Sequence, residues 1–145
     1  MTTQRKSSGG LQTHPCLSEA ENRGGKREDL DNRYFRSRWE ANWARYLNWL
    51  KSLGDIQSWS YEPKTFEFTT IRRGSRFYTP DFLVINRNGT AEYHEVKGWM
   101  DPQSATKLKR MGKHFPHVKV VLVDQAAYRA VARTIAGAIP AWEKG

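Results

Sequence analysis

Tyr78-Thr79-Pro80-Asp81-Phe82-Leu83-Val84-Ile85, then Asn86-Arg87-Asn88-Gly89, then Thr90-Ala91-Glu92-Tyr93-His94-Glu95-Val96-Lys97-Gly98 is the stretch that decides the fold. An apolar strand is followed by an Asn-Gly loop, which accepts positive φ cheaply, and by a return strand that Gly98 closes. The first arm belongs to a longer extended run, Arg76 to Ile85, interrupted at Pro80. Side chains two apart on a strand share a face. Glu95 and Lys97 therefore point the same way, and Val96 points into the core with its carbonyl near them. Hairpin pairing can set Asp81 beside Glu95.

Outward from this hairpin, Ile56 to Tyr61 and Phe66 to Ile71 read as strands, with Arg72-Arg73-Gly74-Ser75 as a turn. Upstream, Phe35, Trp39, Trp43, Tyr46, Leu47, Leu50 and Leu53 recur at helical spacing. The spacing predicts a helix from Tyr34 to Leu53, capped by Asp31 or Asn32 and stopped by Gly54. Downstream, Pro102 opens a second helix whose buried stripe is Leu108, Met111 and Phe115. Val118 to Val123 is a near-continuous apolar run, as in a strand covered on both faces. A last helix runs from about Ala126 to Ala138, with Tyr128, Val131, Ala132 and Ile135 inward. The first strands join by hairpins and the last through a helical crossover. The fold class is α/β, a mixed central β-sheet flanked by α-helices.

A chain of 145 residues holds one domain, or one domain and a tail. Residues 1–30 are polar and glycine-rich, too poor in apolar surface to offset their ordering entropy, and read as a mostly disordered tail before a domain at 31–145. The tail carries five basic and four acidic residues, leaving +8 of the net +9 for the domain. A basic surface attracts polyanions, so nucleic acid is the first partner to consider. One cysteine, Cys16, allows neither an intramolecular disulfide nor a multi-cysteine zinc site, in keeping with a reducing cytoplasmic setting. No apolar run approaches a membrane span, and no secretory signal is visible.

The chemistry rests on Asp81, Glu95 and Lys97. Two carboxylates in contact repel unless a positive charge sits between them. Mg²⁺ suits such a place, taking one or two carboxylates, waters and phosphate oxygens. Lys97 can then hold the attacking water or neutralise charge on a phosphorane, and these are the parts that phosphodiester hydrolysis needs. Glu40 is a third carboxylate, roughly 20° beyond the edge of the helix's apolar arc. It could reach over the sheet. Ser37-Arg38-Trp39-Glu40 also has the form of a capping box, in which Glu40 merely caps a helix. Asp81, Glu95 and Lys97 could likewise be an exposed cross-strand ion pair worth little.

Phe35-Arg36-Ser37-Arg38-Trp39-Glu40, Tyr78-Thr79-Pro80-Asp81-Phe82-Leu83 and Glu95-Val96-Lys97-Gly98 together resemble the PD-(D/E)xK nuclease superfamily. Within it they are similar to the phage endonuclease I type of Holliday-junction resolvase, from about Tyr34 to Val123. The resemblance implies a restriction-endonuclease-like core, dependence on Mg²⁺ with Mn²⁺ able to substitute, and a homodimer that cuts branched DNA. It implies a prokaryotic or phage source. It makes Glu40, Asp81, Glu95 and Lys97 the catalytic set, and Glu40, Asp81, Glu95 and the Val96 carbonyl the metal ligands. All four catalytic residue types are intact. The loop Asn86 to Gly89 is longer than this family leads one to expect, and the first 30 residues have no counterpart.

Candidate DNA contacts are Arg36 and Arg38 beside Glu40, Arg72, Arg73 and Arg76 around the turn, and Lys107, Arg110 and Lys113 on the second helix. Each could instead belong to a solvated face. Tyr78 and Trp99 flank the two motifs and could stack on an unpaired base, or could be core. His94, His114 and His117 form no metal signature. The expected activity is resolution of four-way junctions by paired nicks. The alternatives are an endonuclease of duplex or flap DNA and a non-catalytic DNA-binding protein.

Overall fold

The computed structural model describes residues 23–144. A four-stranded sheet lies at its centre, built from β3 (Ile56–Tyr61), β6 (Phe82–Asn86), β7 (Ala91–Val96) and β8 (Val120–Val123) in the order β3-β6-β7-β8. The first two pairings are antiparallel and β7–β8 is parallel. The sheet is mixed, as expected. Two small ribbons flank it: β1 (Gly25–Arg27) with β2 (Arg33–Phe35), and β4 (Phe66–Glu67) with β5 (Phe77–Tyr78). Three helices complete the domain: α1 (Arg38–Ser52), α2 (Pro102–His114), which is the crossover into β8, and α3 (Gln125–Thr134).

Strand alternation divides the core in two. One cluster gathers Phe35, Ala41, Trp43, Leu47, Ile56, Phe82, Val84, Val96, Val123 and Tyr128 beneath α1 and α3. The other gathers Phe66, Phe68, Tyr78 and Met111, with Tyr93, Leu108 and Phe115, under the β4–β5 ribbon and α2. Side chains as completely buried as Phe35, Leu47 and Phe82 stabilise a fold by roughly 1.5–3 kcal/mol each.

Several expectations need correction. The first helix begins at Arg38, not near Tyr34, because Phe35 is a β2 residue that packs against Tyr61 and Phe82. Ser37 is the cap: its Oγ accepts from the Glu40 N–H at 3.1 Å. Asp31 and Asn32 do not cap the helix; both adopt left-handed φ in the turn before β2. Ser37→Ala should lower stability by about 1 kcal/mol, read as a shifted urea midpoint at unchanged slope.

The boundary at residue 30 falls inside the fold. Gly25–Arg27 forms a strand and Leu30 lies in the core, while residues 1–22 lie outside the described residues. Part of the polar side of α1 is also buried, although Asn48, Lys51 and Ser52 are exposed. Asn42 is fully buried, donating to the Tyr128 hydroxyl and the Glu143 carbonyl. Arg45 is nearly buried between Asp29 and Glu143, at 2.8 Å and 2.6 Å. The segments that carry Asp29 and Glu143 thus fold over this helix. The extended run Phe66 to Ile71 is a strand only over Phe66–Glu67, with one further backbone bond from the Phe68 N–H to the Arg76 carbonyl, and the run Arg76 to Ile85 breaks into β5 and β6 around Pro80, which has no N–H for a ladder. Val120–Val123 is the edge strand of the sheet; Val123 packs in the first cluster and Val120 against the second, so each face is covered in part, while Leu122 is exposed.

Candidate functional site

The β6–β7 register pairs Phe82 with His94 and Leu83 with Tyr93. One more step along it sets Asp81 opposite Glu95, at the end of the sheet where the chain leaves Pro80. A cleft of about 500 Å³ opens there, lined by Arg36, Ser37 and Glu40 from the start of α1, by Phe77, Tyr78, Thr79 and Asp81, by Glu95, Val96 and Lys97, and by Ser104, Lys107 and Leu108 of α2. Glu40, Asp81, Glu95 and Lys97 therefore share one cavity although they come from three separate parts of the chain.

Each carboxylate is held by named donors. Asp81 is almost fully buried; its Oδ2 accepts from the Val96 N–H at 2.8 Å and its Oδ1 from Arg36 at 3.2 Å. Glu95 accepts from the Tyr78 hydroxyl at 2.9 Å. Glu40 accepts from the Tyr61 hydroxyl at 2.6 Å and from the Arg36 N–H at 3.1 Å. Glu40 thus lines the cleft and steadies the helix entry at once, so the two readings of that residue are not exclusive. Lys97 stands 3.5 Å from Asp101, whose carboxylate caps α2 through the Ser104 N–H.

The electrostatics follow from burial. Desolvation, then the charges of Glu95 and Glu40, push the Asp81 carboxyl up to about 8. Burial also raises Glu95, against the Tyr78 hydrogen bond and Lys97. Burial, then Glu40 and Glu95 respectively, raise the Tyr61 and Tyr78 phenols, so both remain donors. Arg36 is the internal counter-ion. It contacts Glu62 and Asp81 and approaches Glu40 at 3.9 Å. Burial works against its charge, yet Glu40 and Glu62 hold it protonated more firmly than usual.

Among the described residues no three acidic or histidine side chains close into a ready metal cage, and the Glu40 carboxylate is turned toward Tyr61 and Arg36. The donor set at Asp81 and Glu95 nevertheless suits a hard divalent cation. Two desolvated carboxylates meet, their repulsion raises a pKa, and the cleft has room for the waters such an ion keeps.

The other candidates separate. Arg36 and Lys107 line the cleft. Arg72, Arg73 and Lys113 are exposed. Arg76 is exposed but paired with Glu67 at 2.7 Å. Arg110 ties the β4–β5 turn to α2 by donating to the Ser75 carbonyl at 2.6 Å. Arg38 is buried and unavailable to a backbone phosphate outside. Tyr78 is core, whereas Trp99 is exposed. His94 is a core histidine on the opposite face: its Nδ1 accepts from the Trp43 indole at 3.0 Å, which leaves Nε2 to donate to Glu92. Sequence reasoning missed Tyr61, Glu62 and Phe77. Tyr61 was within reach of it, since β3 alternation puts its ring in the core and its hydroxyl at the sheet end that holds Asp81.

These features define an α/β protein with an acid-and-lysine cleft at one end of a mixed sheet. A family model described as a protein of unknown function (DUF1064) matches residues 22–130. That is most of the chain, which belongs to this family. No curated protein and no solved structure matches it.

Proposed function

We propose that this chain is a metal-dependent DNA endonuclease, with a restriction-endonuclease-like core of the PD-(D/E)xK kind, that resolves four-way junctions. The observation that carries the reading is the convergence of Glu40, Asp81, Glu95 and Lys97 on one open cleft of a strongly basic protein.

Asp81 and Glu95, with the Val96 carbonyl and Glu40 beside them, would hold Mg²⁺, or Mn²⁺ in its place. That ion would supply a Lewis acid and a bound water of lowered pKa. Tyr61 and Tyr78 orient the carboxylates of Glu40 and Glu95 by donating to them. Lys97 offers a fixed positive charge to the reacting phosphate or its attacking water. Arg36 and Lys107 bind flanking phosphates from the two walls of the cleft. In-line attack by water would leave 5′-phosphate and 3′-hydroxyl ends.

One cleft makes one nick, so paired nicks across a symmetric junction call for a twofold homodimer. The reading places the protein in the cytoplasm of a prokaryote or of a phage-infected host. Among the described residues no helix is long and apolar enough to cross a membrane.

The test is cleavage of a labelled four-way junction and of a linear duplex with the same arm sequences, in Mg²⁺ and in Ca²⁺. Junction cleavage in Mg²⁺ alone is the expected result. Equal cutting of both substrates would replace junction resolution by a duplex nuclease. Binding without cutting of any DNA would leave a non-catalytic DNA-binding protein.

A further inference from the structure

Five large hydrophobic side chains are exposed among the described residues: Tyr34, Leu53, Phe77, Trp99 and Leu122. One of them, Phe77, lines the cleft and is 52% exposed. Trp99, the most exposed at 75%, is not itself a lining residue but lies in the short segment between Lys97 and Ser104, which both line it. An aromatic ring of this size in water forgoes the burial of a large apolar surface, and a flat exposed ring stacks well on another π face.

Both rings are displayed from anchored backbone. Phe77 pairs with Glu67 in the β4–β5 ribbon, next to Tyr78, which is buried beneath Glu95. The Arg76 guanidinium lies 5.7 Å from the centre of the Phe77 ring. Gly98 runs so close to the Trp39 ring that an added Cβ would sit 3.0 Å from it. Two residues beyond Trp99, Asp101 is fixed as the cap of α2. The indole therefore springs from a segment tethered at both ends.

The charge around the rings selects the occupant. Arg36, Lys97 and Lys107 line the cleft, and Arg72 and Arg73 are exposed in the connection that leads into β5, the strand that bears Phe77. A second copy of this chain seated over these rings would block the cleft that the proposed homodimer must leave open to DNA. A nucleic acid strand carries phosphates for the cations and bases for the rings.

We propose that Phe77 and Trp99 form a stacking platform for an unpaired nucleobase at the mouth of the cleft. The preferred substrates are then nucleic acids with bases splayed out beside the cut. This inference rests on the nuclease reading of the same cleft and narrows its substrate class. Inside a continuous duplex every base already stacks on its neighbours, whereas at a branch, bulge or fork a base is free to leave them.

The test measures binding of the full chain carrying Asp81→Asn, which prevents cutting, by fluorescence anisotropy in Ca²⁺. One probe is a perfect duplex and the other is the same duplex with a two-nucleotide bulge. The expected result is preference for the bulged probe. Adding Trp99→Ala or Phe77→Ala should reduce its binding about tenfold with little effect on the perfect duplex, and Trp99→Phe should restore it. Either alanine variant binding both probes as before, or losing both equally, would overturn the platform. So would lost self-association in sedimentation with unchanged DNA binding, which would make the rings a contact between copies. Cleavage by the chain without these substitutions separates this inference from its premise. Cutting of branched DNA that ignores Trp99 and Phe77 removes the platform alone, and Trp99-dependent bulge binding without cutting of any DNA removes the nuclease reading alone.

Discussion

Glu95→Gln and Asp81→Asn should each lower Mg²⁺-dependent cleavage by at least about 10²–10³-fold, the scale at which one fixed electrostatic partner of a transition state acts, while the chain stays folded. Both changes are nearly isosteric. Glutamine at 95 still accepts from the Tyr78 hydroxyl, and asparagine at 81 still accepts from the Val96 N–H. What each removes is a carboxyl group able to ionise for a cation, from a pair that faces itself across the β6–β7 register. Each also weakens the attraction for a divalent cation without lengthening any wall of the cleft. DNA binding should survive, because the cleft becomes less acidic. Junction cleavage rates beside thermal unfolding curves measure both halves of this expectation. Unchanged cleavage in pure Glu95→Gln protein would remove Glu95 from the chemistry.

The same charges should make the metal-free protein less stable as pH rises above neutrality. The Asp81 carboxyl titrates near 8 in the fold and at its ordinary low value in the unfolded chain. Between these values the native state holds a proton that the unfolded state has released, so the unfolding free energy falls as pH increases. Glu95 is shifted in the same direction and contributes the same sign. His94, lowered chiefly by burial, contributes the opposite slope, but only below its ordinary value of about 6.5. The clean window is thus pH 6.5 to 8, where the loss should reach about 2 kcal/mol. Asp81→Asn should flatten the slope, and Mg²⁺ should restore most stability at the upper end. Urea titrations at several pH values, with and without Mg²⁺, measure this. A native chain that gains stability from pH 6.5 to 8 in EDTA would contradict the burial of a repelling pair.

The central hairpin was legible because local signals agree. The Asn86 to Gly89 loop fixes a connection length, the apolar arm fixes which face is buried, and together they leave Asp81 and Glu95 opposite one another. Glu40 was legible as a position on a helical wheel, though not as a group that both ties down the Arg36 N–H at the helix entry and faces the cleft.

What escaped was decided by distant pieces of chain. Phe35 matches the helical stripe in spacing yet belongs to β2, because its ring is claimed by Tyr61 and Phe82. Asn42 and Arg45 lie off the apolar stripe of the helix, yet Asp29 and Glu143, far away along the chain in both directions, cover them. No periodicity encodes such a lid. The apolar run Val120–Val123 does pack on both faces in part, but apolarity alone does not say whether a strand is central or at an edge, and this one is at the edge. Glu62 entered the site only once the β3–β6 register brought the end of β3 to Asp81, where the Glu62 N–H donates to the Asp81 carbonyl at 2.7 Å.

The most direct measurement is anomalous X-ray scattering from crystals of the full chain soaked in Mn²⁺, with Asp81→Asn, Glu95→Gln crystals treated alike. The account predicts a peak between the Asp81 and Glu95 carboxylates, about 2.1 Å from an oxygen of each, that vanishes in the double variant. Well-ordered carboxylates at 81 and 95 with no peak between them, or a Mn²⁺ bound only elsewhere on the chain, would contradict it.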